Sequence, residues 1–210
     1  MFSGLVLALV LAASLSASET AAQGRNAASN FDIKEFFSTE DVTWTYNTTR
    51  STSYYCIGDV KHNITNANVV FTKYSRLNTS TVETIATHLN GTFYKDTARE
   101  RGTKASGKSR YNAMRIAYLD DGEPFWKEVL MFQTKDMKCG VFMVLRRGRN
   151  PETYDLRLKN SSVEGGPDTT CLKQFISLAK GEQGHVLYSS HCQEMLQGLN
   201  NAPGAKSASY

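Results

Sequence analysis

The sequence has little that would place it in a membrane. Its one long apolar run, from Leu5 to Ala13, is too short to span a bilayer. Small residues follow this run, as they do before the cleavage site of a signal peptide, although no Lys or Arg precedes it. We therefore expect a signal peptide over residues 1–17, with residue 22 as the latest cleavage position, and a secreted, extracellular protein that does not bind membranes.

The sequence also lacks the motifs of the common hydrolases. It contains neither GxSxG nor HExxH, and its four histidines (His62, His88, His185 and His191) belong to no hydrolase motif. A triad can be assembled from distant positions, but pairing of all the cysteines would leave no thiol nucleophile. No residue is a candidate for catalysis, so we expect a binding protein and not an enzyme.

One segment of the sequence matches the consensus of a phosphate-binding motif. Residues 102–109 match the P-loop pattern GxxxxGK[ST]. That loop requires a strand before it and a helix after it, because the helix N-terminus and the backbone amides hold the phosphates. Residues 111–116 have the composition of a strand instead. We predict a flexible basic loop here and no nucleotide site.

The positive charge of the chain is small for its length. The formal net charge is +4, and the basic runs lie at residues 99–101, 104–110 and 146–149. A mild excess of this kind is weak evidence for a polyanionic partner. We interpret these runs as solvated loops and expect no nucleic-acid partner.

The cysteines are few and even in number. In an oxidising compartment four cysteines predict two disulfides, in one of three connectivities. No CxxC or CxxH pair occurs, so we expect no zinc or other metal site, and nothing suggests a cofactor. The four residues are Cys56, Cys139, Cys171 and Cys192.

In a secreted protein, Asn-x-Ser/Thr sequons are candidate sites of N-glycosylation. A glycan requires an accessible surface position. We expect several of the five sequons to be glycosylated, and they lie at Asn47, Asn63, Asn78, Asn90 and Asn160.

Between residues 41 and 158 the pattern is one short strand after another. These segments are rich in Val, Ile, Thr, Phe and Tyr, and turn formers such as Asn90-Gly91 and Asp121-Gly122 separate them. Eight or nine antiparallel strands at regular spacing predict a barrel or a sandwich. The predicted strands cover residues 41–46, 53–63, 68–74, 81–88, 92–96, 110–119, 125–134, 138–145 and 154–158.

Two helices are expected to frame the strands. The first covers residues 31–37, with Asn30 as its cap. The second covers residues 170–180, capped by Asp168 or Thr169 and stopped by Gly181. Its apolar positions (Leu172, Phe175, Ile176 and Ala179) form one stripe, which predicts a helix packed on the outside of the barrel. Residues 196–210 are expected to be a flexible tail.

The most informative side chains are carboxylates among aromatic residues. In residues 125–134 one strand face carries Trp126, Glu128, Leu130 and Phe132. A Glu on an apolar face is costly to bury unless a cation or a hydrogen-bond donor meets it. An acid in an aromatic pocket suits a small ammonium ligand, whereas an outward face would leave Glu128 to pair with a surface Lys. The sequence alone leaves both alternatives open.

The chain resembles the tick salivary lipocalins of the histamine-binding family. Their signature is Cys-Asp-[Val/Ile/Leu], then Glu-Leu-[Trp/Tyr], then Cys. Here residues 139–141 read Cys-Gly-Val, residues 155–157 read Asp-Leu-Arg, and Cys171 follows, with 13 residues in each spacer. Trp44 in the first strand, Cys56 in the second and Cys192 near the end extend the resemblance over nearly all of the mature chain.

The resemblance implies an all-β fold, a lipocalin-like eight-stranded antiparallel barrel over residues 30–195, with a short N-terminal helix and a C-terminal helix packed outside. It also implies the disulfides Cys56–Cys192 and Cys139–Cys171. Members of the family sequester host mediators such as histamine, serotonin or leukotrienes and so blunt inflammation. By the resemblance and the pattern together, the expected ligand-binding residues are Trp44, Tyr118, Trp126, Glu128, Asp155 and Arg157.

Three departures from the signature bear on the ligand. Gly140 replaces its Asp, Asp155 replaces its Glu, and Arg157 replaces its Trp or Tyr. Arg157 could neutralise Asp155 or clamp the carboxylate of a fatty-acid-like ligand, whose chain would suit Phe142, Met131 and Met143.

These departures leave three hypotheses. The first is a monomeric scavenger of histamine or another biogenic amine. The second is a scavenger of a leukotriene or fatty acid. The third is a protein-binding module that uses residues 99–110 and 146–149 on a plasma protein.

Overall fold

The computed structural model describes residues 31–77, 83–99, 111–148, 151–182 and 184–201. The P-loop-like motif and most of the basic run before it lie outside these residues. The strands are β1 (Thr43–Thr48), β2 (Tyr54–Ile64), β3 (Asn68–Leu77), β4 (Thr84–Tyr94), β5 (Ala113–Tyr118), β6 (Pro124–Gln133), β7 (Cys139–Arg146), β8 (Thr153–Lys159) and β9 (His185–Val186). The α-helices are α1 (Ile33–Phe37), α2 (Asn160–Val163), α3 (Thr169–Leu178) and α4 (Gln193–Asn201), and 3₁₀ turns cover Thr97–Arg99 and Ser190–Cys192.

Eight antiparallel strands close into a barrel. Each strand from β2 to β7 pairs with the next along the chain, β8 pairs with β1, and β1 returns to β2 through Thr43 and Trp44. The short β9 pairs with Asn47 and Thr48, beyond the point where β1 leaves β2. The predicted eight-stranded barrel is confirmed.

One predicted turn is wrong. Asn90-Gly91 does not separate two strands, because β4 runs continuously past it and pairs with β3 and β5 there. The glycine is required by packing, since a Cβ on Gly91 would lie 2.9 Å from the Met114 Sδ atom and 3.2 Å from Ile116. A small residue inside a strand therefore marks a close approach in the barrel interior and not a chain reversal.

Helix α1 closes one end of the barrel. Its rings pack against strand residues, with Phe36 5.2 Å from Phe142 and Phe37 6.3 Å from Phe71 between ring centroids. The cap is Asp32, whose carboxylate accepts from the backbone N–H of residues 34 and 35, so the prediction of Asn30 as the cap is wrong. The result is an interior filled with aromatic side chains at this end.

Helix α3 packs on the outer face of the barrel against β6, β7 and β8. Asp168 caps it, and the disulfide Cys139–Cys171 ties its first turn to β7. Phe175 is fully buried in this outer layer, while Ile176 is exposed, so the predicted apolar stripe is narrower than expected. The predicted domain boundary at residue 195 falls within α4.

The chain before α4 fills a gap in the barrel wall. The Leu187 N–H donates to Tyr46 O, and the Cys56 N–H donates to Leu187 O, so this segment bridges β1 and β2 where they separate. The disulfide Cys56–Cys192 fixes it there. Both disulfides implied by the resemblance are therefore confirmed. No helix in the described part of the chain is long and apolar enough to cross a membrane.

Candidate functional site

Strand alternation brings charged side chains of three strands into the barrel interior. Glu128 of β6, Asp155 and Arg157 of β8, and Asp59 of β2 are all buried. Glu128 and Arg157 are each 1% exposed. The face of β6 that carries Trp126, Glu128 and Leu130 is therefore the inner one, and Glu128 does not pair with a surface lysine.

Arg157 is the centre of this cluster. Its Nη1 and Nη2 atoms donate to the two oxygens of Glu128 at 2.6 and 2.7 Å, and Nη2 also donates to the Asp155 Oδ2 atom at 2.8 Å. The guanidinium carbon lies 4.5 Å from the ring centroid of Phe142. A planar cation is thus held by two carboxylates and one aromatic face.

Two further groups complete the surroundings of the guanidinium. The Asp59 Oδ2 atom lies 3.8 Å from Arg157 Nη1 and has no hydrogen-bond partner among the described residues, while Oδ1 accepts from Lys73 Nζ at 2.5 Å. The Thr48 hydroxyl donates to the Asp155 Oδ1 atom at 2.7 Å. Three carboxylates therefore surround one guanidinium.

The charges of the cluster hold one another in place. Burial by itself disfavours the charged form of Asp155, but Arg157 and the Thr48 hydroxyl outweigh it and hold the pKa of this carboxyl below its usual range. Burial also opposes the charge on Arg157, yet Glu128 and Asp155 raise the pKa of the guanidinium. Both groups are charged at neutral pH.

The free space beside the cluster is small. The cavity has a volume of about 30 Å³, which is room for about one water molecule. A larger ligand must displace side chains that now fill the barrel. The cavity is lined by Thr45, Arg50, Ile57, Lys73, Trp126, Glu128, Val144, Arg146, Asp155 and Arg157.

Trp126 stands in the wall of this cavity. The guanidinium carbon of Arg146 lies 5.1 Å from its ring centroid, and the buried indole N–H has no hydrogen-bond partner among the described residues. An aromatic ring with an unused donor, beside buried carboxylates, is suited to contact a polar aromatic ligand.

The structure does not bring the other two predicted ligand residues to the cluster. Trp44 lies on the opposite face of β1 from Thr45, where its indole N–H donates to Asn160 Oδ1 at 2.8 Å and its ring packs against Tyr188. Tyr118 is 47% exposed and stacks on Phe125, with ring centroids 4.3 Å apart. Trp44 thus packs under the C-terminal segment, and Tyr118 lies on the outer surface.

The residues that would have suited an acyl chain do not line the cavity either. Phe142 lies beneath Arg157 and against α1. Met143 is buried in the outer layer under α3, and Met131 packs against the same layer.

Gly140 has a packing role that explains its departure from the signature. A Cβ at this position would lie 2.9 Å from the Phe36 ring and 3.0 Å from the Phe142 ring. An aspartate there would collide with the helix that closes the barrel. Where the signature has an acid, Gly140 therefore makes a close contact with α1.

Sequence reasoning missed Asp59, Lys73 and Thr48. Asp59 and Lys73 occupy partner positions in β2 and β3, and Thr48 is paired with Asp155 across β1 and β8. An acid and a lysine on predicted strands were visible, but only the register between strands brings them together. No three His, Cys, Asp or Glu side chains among the described residues are placed to hold a metal ion.

The sequons differ in accessibility. Asn63 is exposed, whereas Asn47 is 7% exposed. Asn160 accepts from Trp44 and from the Gln193 amide, and Asn90 accepts from the Asn68 amide. Asn78 lies outside the described residues. The structure therefore separates one open sequon from three that are partly or wholly enclosed.

Comparison with known proteins gives similarity of structure only. No protein-family model and no curated protein matches the sequence. Among solved structures, AM182 in its serotonin complex is similar with a TM-score of 0.54 and 15% identity, covering 78% of this chain and 94% of that one. Japanin from Rhipicephalus appendiculatus, bound to cholesterol, has a TM-score of 0.46 and 13% identity, covering 67% and 88%. The likeness to AM182 shows the fold, and the fold of this chain is lipocalin-like.

Proposed function

We propose that this chain is a secreted salivary carrier that sequesters a small cationic mediator, histamine or another biogenic amine, inside its barrel and so blunts host inflammatory defence. The observation that carries the proposal is the surroundings of the Arg157 guanidinium. Three carboxylates lie within 2.6 to 3.8 Å of it, and an aromatic face lies 4.5 Å away. The proposal includes no catalytic step.

This arrangement is complementary to an organic cation. Ion pairs to carboxylates combined with an aromatic face are the way in which proteins hold ammonium ligands. In the free protein the position is occupied by the chain's own cation. A ligand ammonium would take the place of the guanidinium, and Trp126 would contact the aromatic part of the ligand. The serotonin bound to the structurally similar AM182 is such an amine.

Displacement of Arg157 sets the cost of binding. The side chain must leave Glu128 and Asp155, and these carboxylates stay paired only if the ligand supplies the same charge. A neutral ligand cannot do this. The proposal therefore predicts that the barrel discriminates against uncharged analogues of an amine.

A leukotriene or fatty acid is the second candidate, because two further cations line the cavity. Arg50 and Arg146 reach its wall in addition to Lys73 and Arg157. Such a ligand also needs a long apolar space, whereas the aromatic residues of α1 and the strands fill the other end of the barrel. The small free volume inside the barrel therefore favours a small amine over a leukotriene or fatty acid.

The test replaces the two carboxylates that hold the guanidinium by their amides. We expect Glu128→Gln with Asp155→Asn to abolish calorimetric binding of histamine, since the counter-charges are lost. The matched control is Glu164→Gln with Glu182→Gln, which removes the same charge from exposed positions. Unchanged histamine affinity in the first variant would contradict the proposal. Circular dichroism of both variants verifies that the barrel is folded.

A further inference from the structure

A second cleft lies across β5, β6 and β7 and shares Trp126 and Arg146 with the interior cavity. Its volume is about 290 Å³, near the lower limit of small-molecule pockets. Among the described residues, four cations and two aromatic rings line it, and no carboxylate does. The lining residues are Arg115, Pro124, Phe125, Trp126, Lys127, Leu145, Arg146 and Arg147.

The strand register explains why the cations converge. Arg115 is paired with Lys127, and Lys127 with Leu145, so these side chains form one row across the outer face. The Arg147 N–H donates to Phe125 O, which places Arg147 beside the aromatic wall. Positive charge is therefore concentrated at one position by pairing between three consecutive strands.

Only part of this charge is neutralised nearby. Lys127 lies 3.6 Å from a carboxylate oxygen of Asp96. Arg115 lies over the ring of Tyr94 at 4.1 Å, and an aromatic ring does not neutralise its charge. Arg115 and Arg147 are exposed. The field at the cleft favours an anion.

The aromatic wall is itself supported from outside. Tyr118 stacks on Phe125 at 4.3 Å between centroids, and Phe125 packs edge-on against Trp126 at 4.4 Å. The three rings form a rigid apolar surface next to the cations. Such a surface matches a ligand that has a flat or acyl apolar part and one acidic group.

We propose that this cleft binds a small amphiphilic organic anion, with its carboxylate or sulfate on Arg115 and Arg147 and its apolar part on Phe125 and Trp126. Its two anion contacts are separate from the acidic cluster around Arg157, although Trp126 and Arg146 line both this cleft and the interior cavity. It does not depend on the amine proposal. Arg115 and Arg147 do not line the interior cavity.

The test uses the aromatic sulfonate 8-anilinonaphthalene-1-sulfonate as the probe. The rise in probe fluorescence measures binding, and the dependence of binding on Arg115 and Arg147 assigns it to this cleft. We expect Arg115→Glu with Arg147→Glu to raise the probe's Kd by about tenfold or more, because charge-assisted contacts are replaced by repulsion. The control, Lys135→Glu with Lys173→Glu, reverses two exposed charges elsewhere and should change the Kd less than about twofold.

Three outcomes would overturn the proposal. Equal effects of the two double variants would show that the probe responds to net charge alone. Loss of probe binding in Glu128→Gln with Asp155→Asn, with no effect of the arginine variants, would place the probe inside the barrel. Binding of a sulfated oligosaccharide in place of the probe, with the same dependence on the arginines, would overturn the ligand class. Retained probe binding in a variant that has lost histamine binding would support two separate sites.

Discussion

Arg157 of β8 and Glu128 of β6 form a bidentate ion pair across the interior of the barrel, with both side chains almost wholly buried. The guanidinium of the chain itself occupies the position between the buried carboxylates. The Glu128 carboxylate is thus neutralised by Arg157, which lies two strands further along the sheet. Stability and ligand binding therefore depend on the same two side chains.

Removal of Arg157 should destabilise the protein and make it responsive to amines. Arg157→Gly leaves Glu128 and Asp155 buried without the guanidinium as counter-charge. We therefore expect the free energy of unfolding to fall by about 3–5 kcal/mol. Millimolar histamine should recover much of the lost melting temperature in this variant, because the amine replaces the guanidinium. Thermal unfolding with and without histamine measures both effects. A variant as stable as the parent, or one that histamine leaves unchanged, would argue against a cation site.

Lys159 should make stability rise with pH in mildly alkaline solution. It is buried beside the rings of Phe36 and Phe37 and donates to the Thr43 hydroxyl at 2.8 Å. Burial, with a smaller contribution from Lys61, lowers the pKa of Lys159 from 10.5 to about 8, although Asp41 and Asp59 oppose this.

The sign follows from proton binding. Between pH 8 and 10.5 the unfolded chain binds the proton and the folded one does not, so stability increases with pH by about 3 kcal/mol from this residue. Urea denaturation of the protein and of Lys159→Met across this range tests the prediction. The difference between the two proteins should shrink as pH rises; a difference independent of pH would show that Lys159 titrates normally.

Restoring the signature acid at residue 140 should damage the fold. In Gly140→Asp the new Cβ meets Phe36 at 2.9 Å, and a carboxylate is buried among aromatic rings. We expect a loss of about 3 kcal/mol or more. Gly165→Asp is the control, because the nearest atom to a Cβ there is 3.7 Å away. Equal stability of the two variants by urea denaturation would mean that α1 moves aside without cost.

Glycosylation should be selective among the sequons. We predict a glycan on Asn63, which is exposed, and none on Asn47, which is buried with its side-chain oxygen against Gly184. Mass spectrometry of tryptic peptides from the secreted protein, before and after treatment with peptide N-glycosidase, reads out each site. Occupancy of Asn47 in folded protein would contradict the placement of the C-terminal segment beside β1.

The sequence predicts the barrel well because each strand carries its own local pattern. Composition and turn formers locate the strands, and the cysteine spacing resembles that of a family with a known pairing. The prediction at Asn90-Gly91 is wrong because the dipeptide Asn-Gly is typical of hairpin turns. Here the same dipeptide lies inside a strand, where its glycine permits a close approach to Met114. Local patterns cannot separate these two uses.

The site is predictable only in part, for a geometric reason. Alternation places Trp126 and Glu128 on one face of β6, but it does not say which face is inside. The partners of Arg157 depend on register across β6, β7 and β8, and the contribution of Asp59 depends on closure of the barrel between β1 and β2. Trp44 was expected at the ligand through the family resemblance, yet it packs against Tyr188 outside.

The most direct measurement is calorimetric titration of the secreted, oxidised protein with histamine, serotonin and a leukotriene in parallel. The account predicts tight binding of an amine, weakening as the acidic cluster is protonated at low pH, and little response to the leukotriene. Tight leukotriene binding without any amine response would contradict it and direct attention to Arg50 and Arg146. No heat from any of the three would also contradict it, and would leave a lipocalin-like barrel whose interior cation site belongs to Arg157 alone.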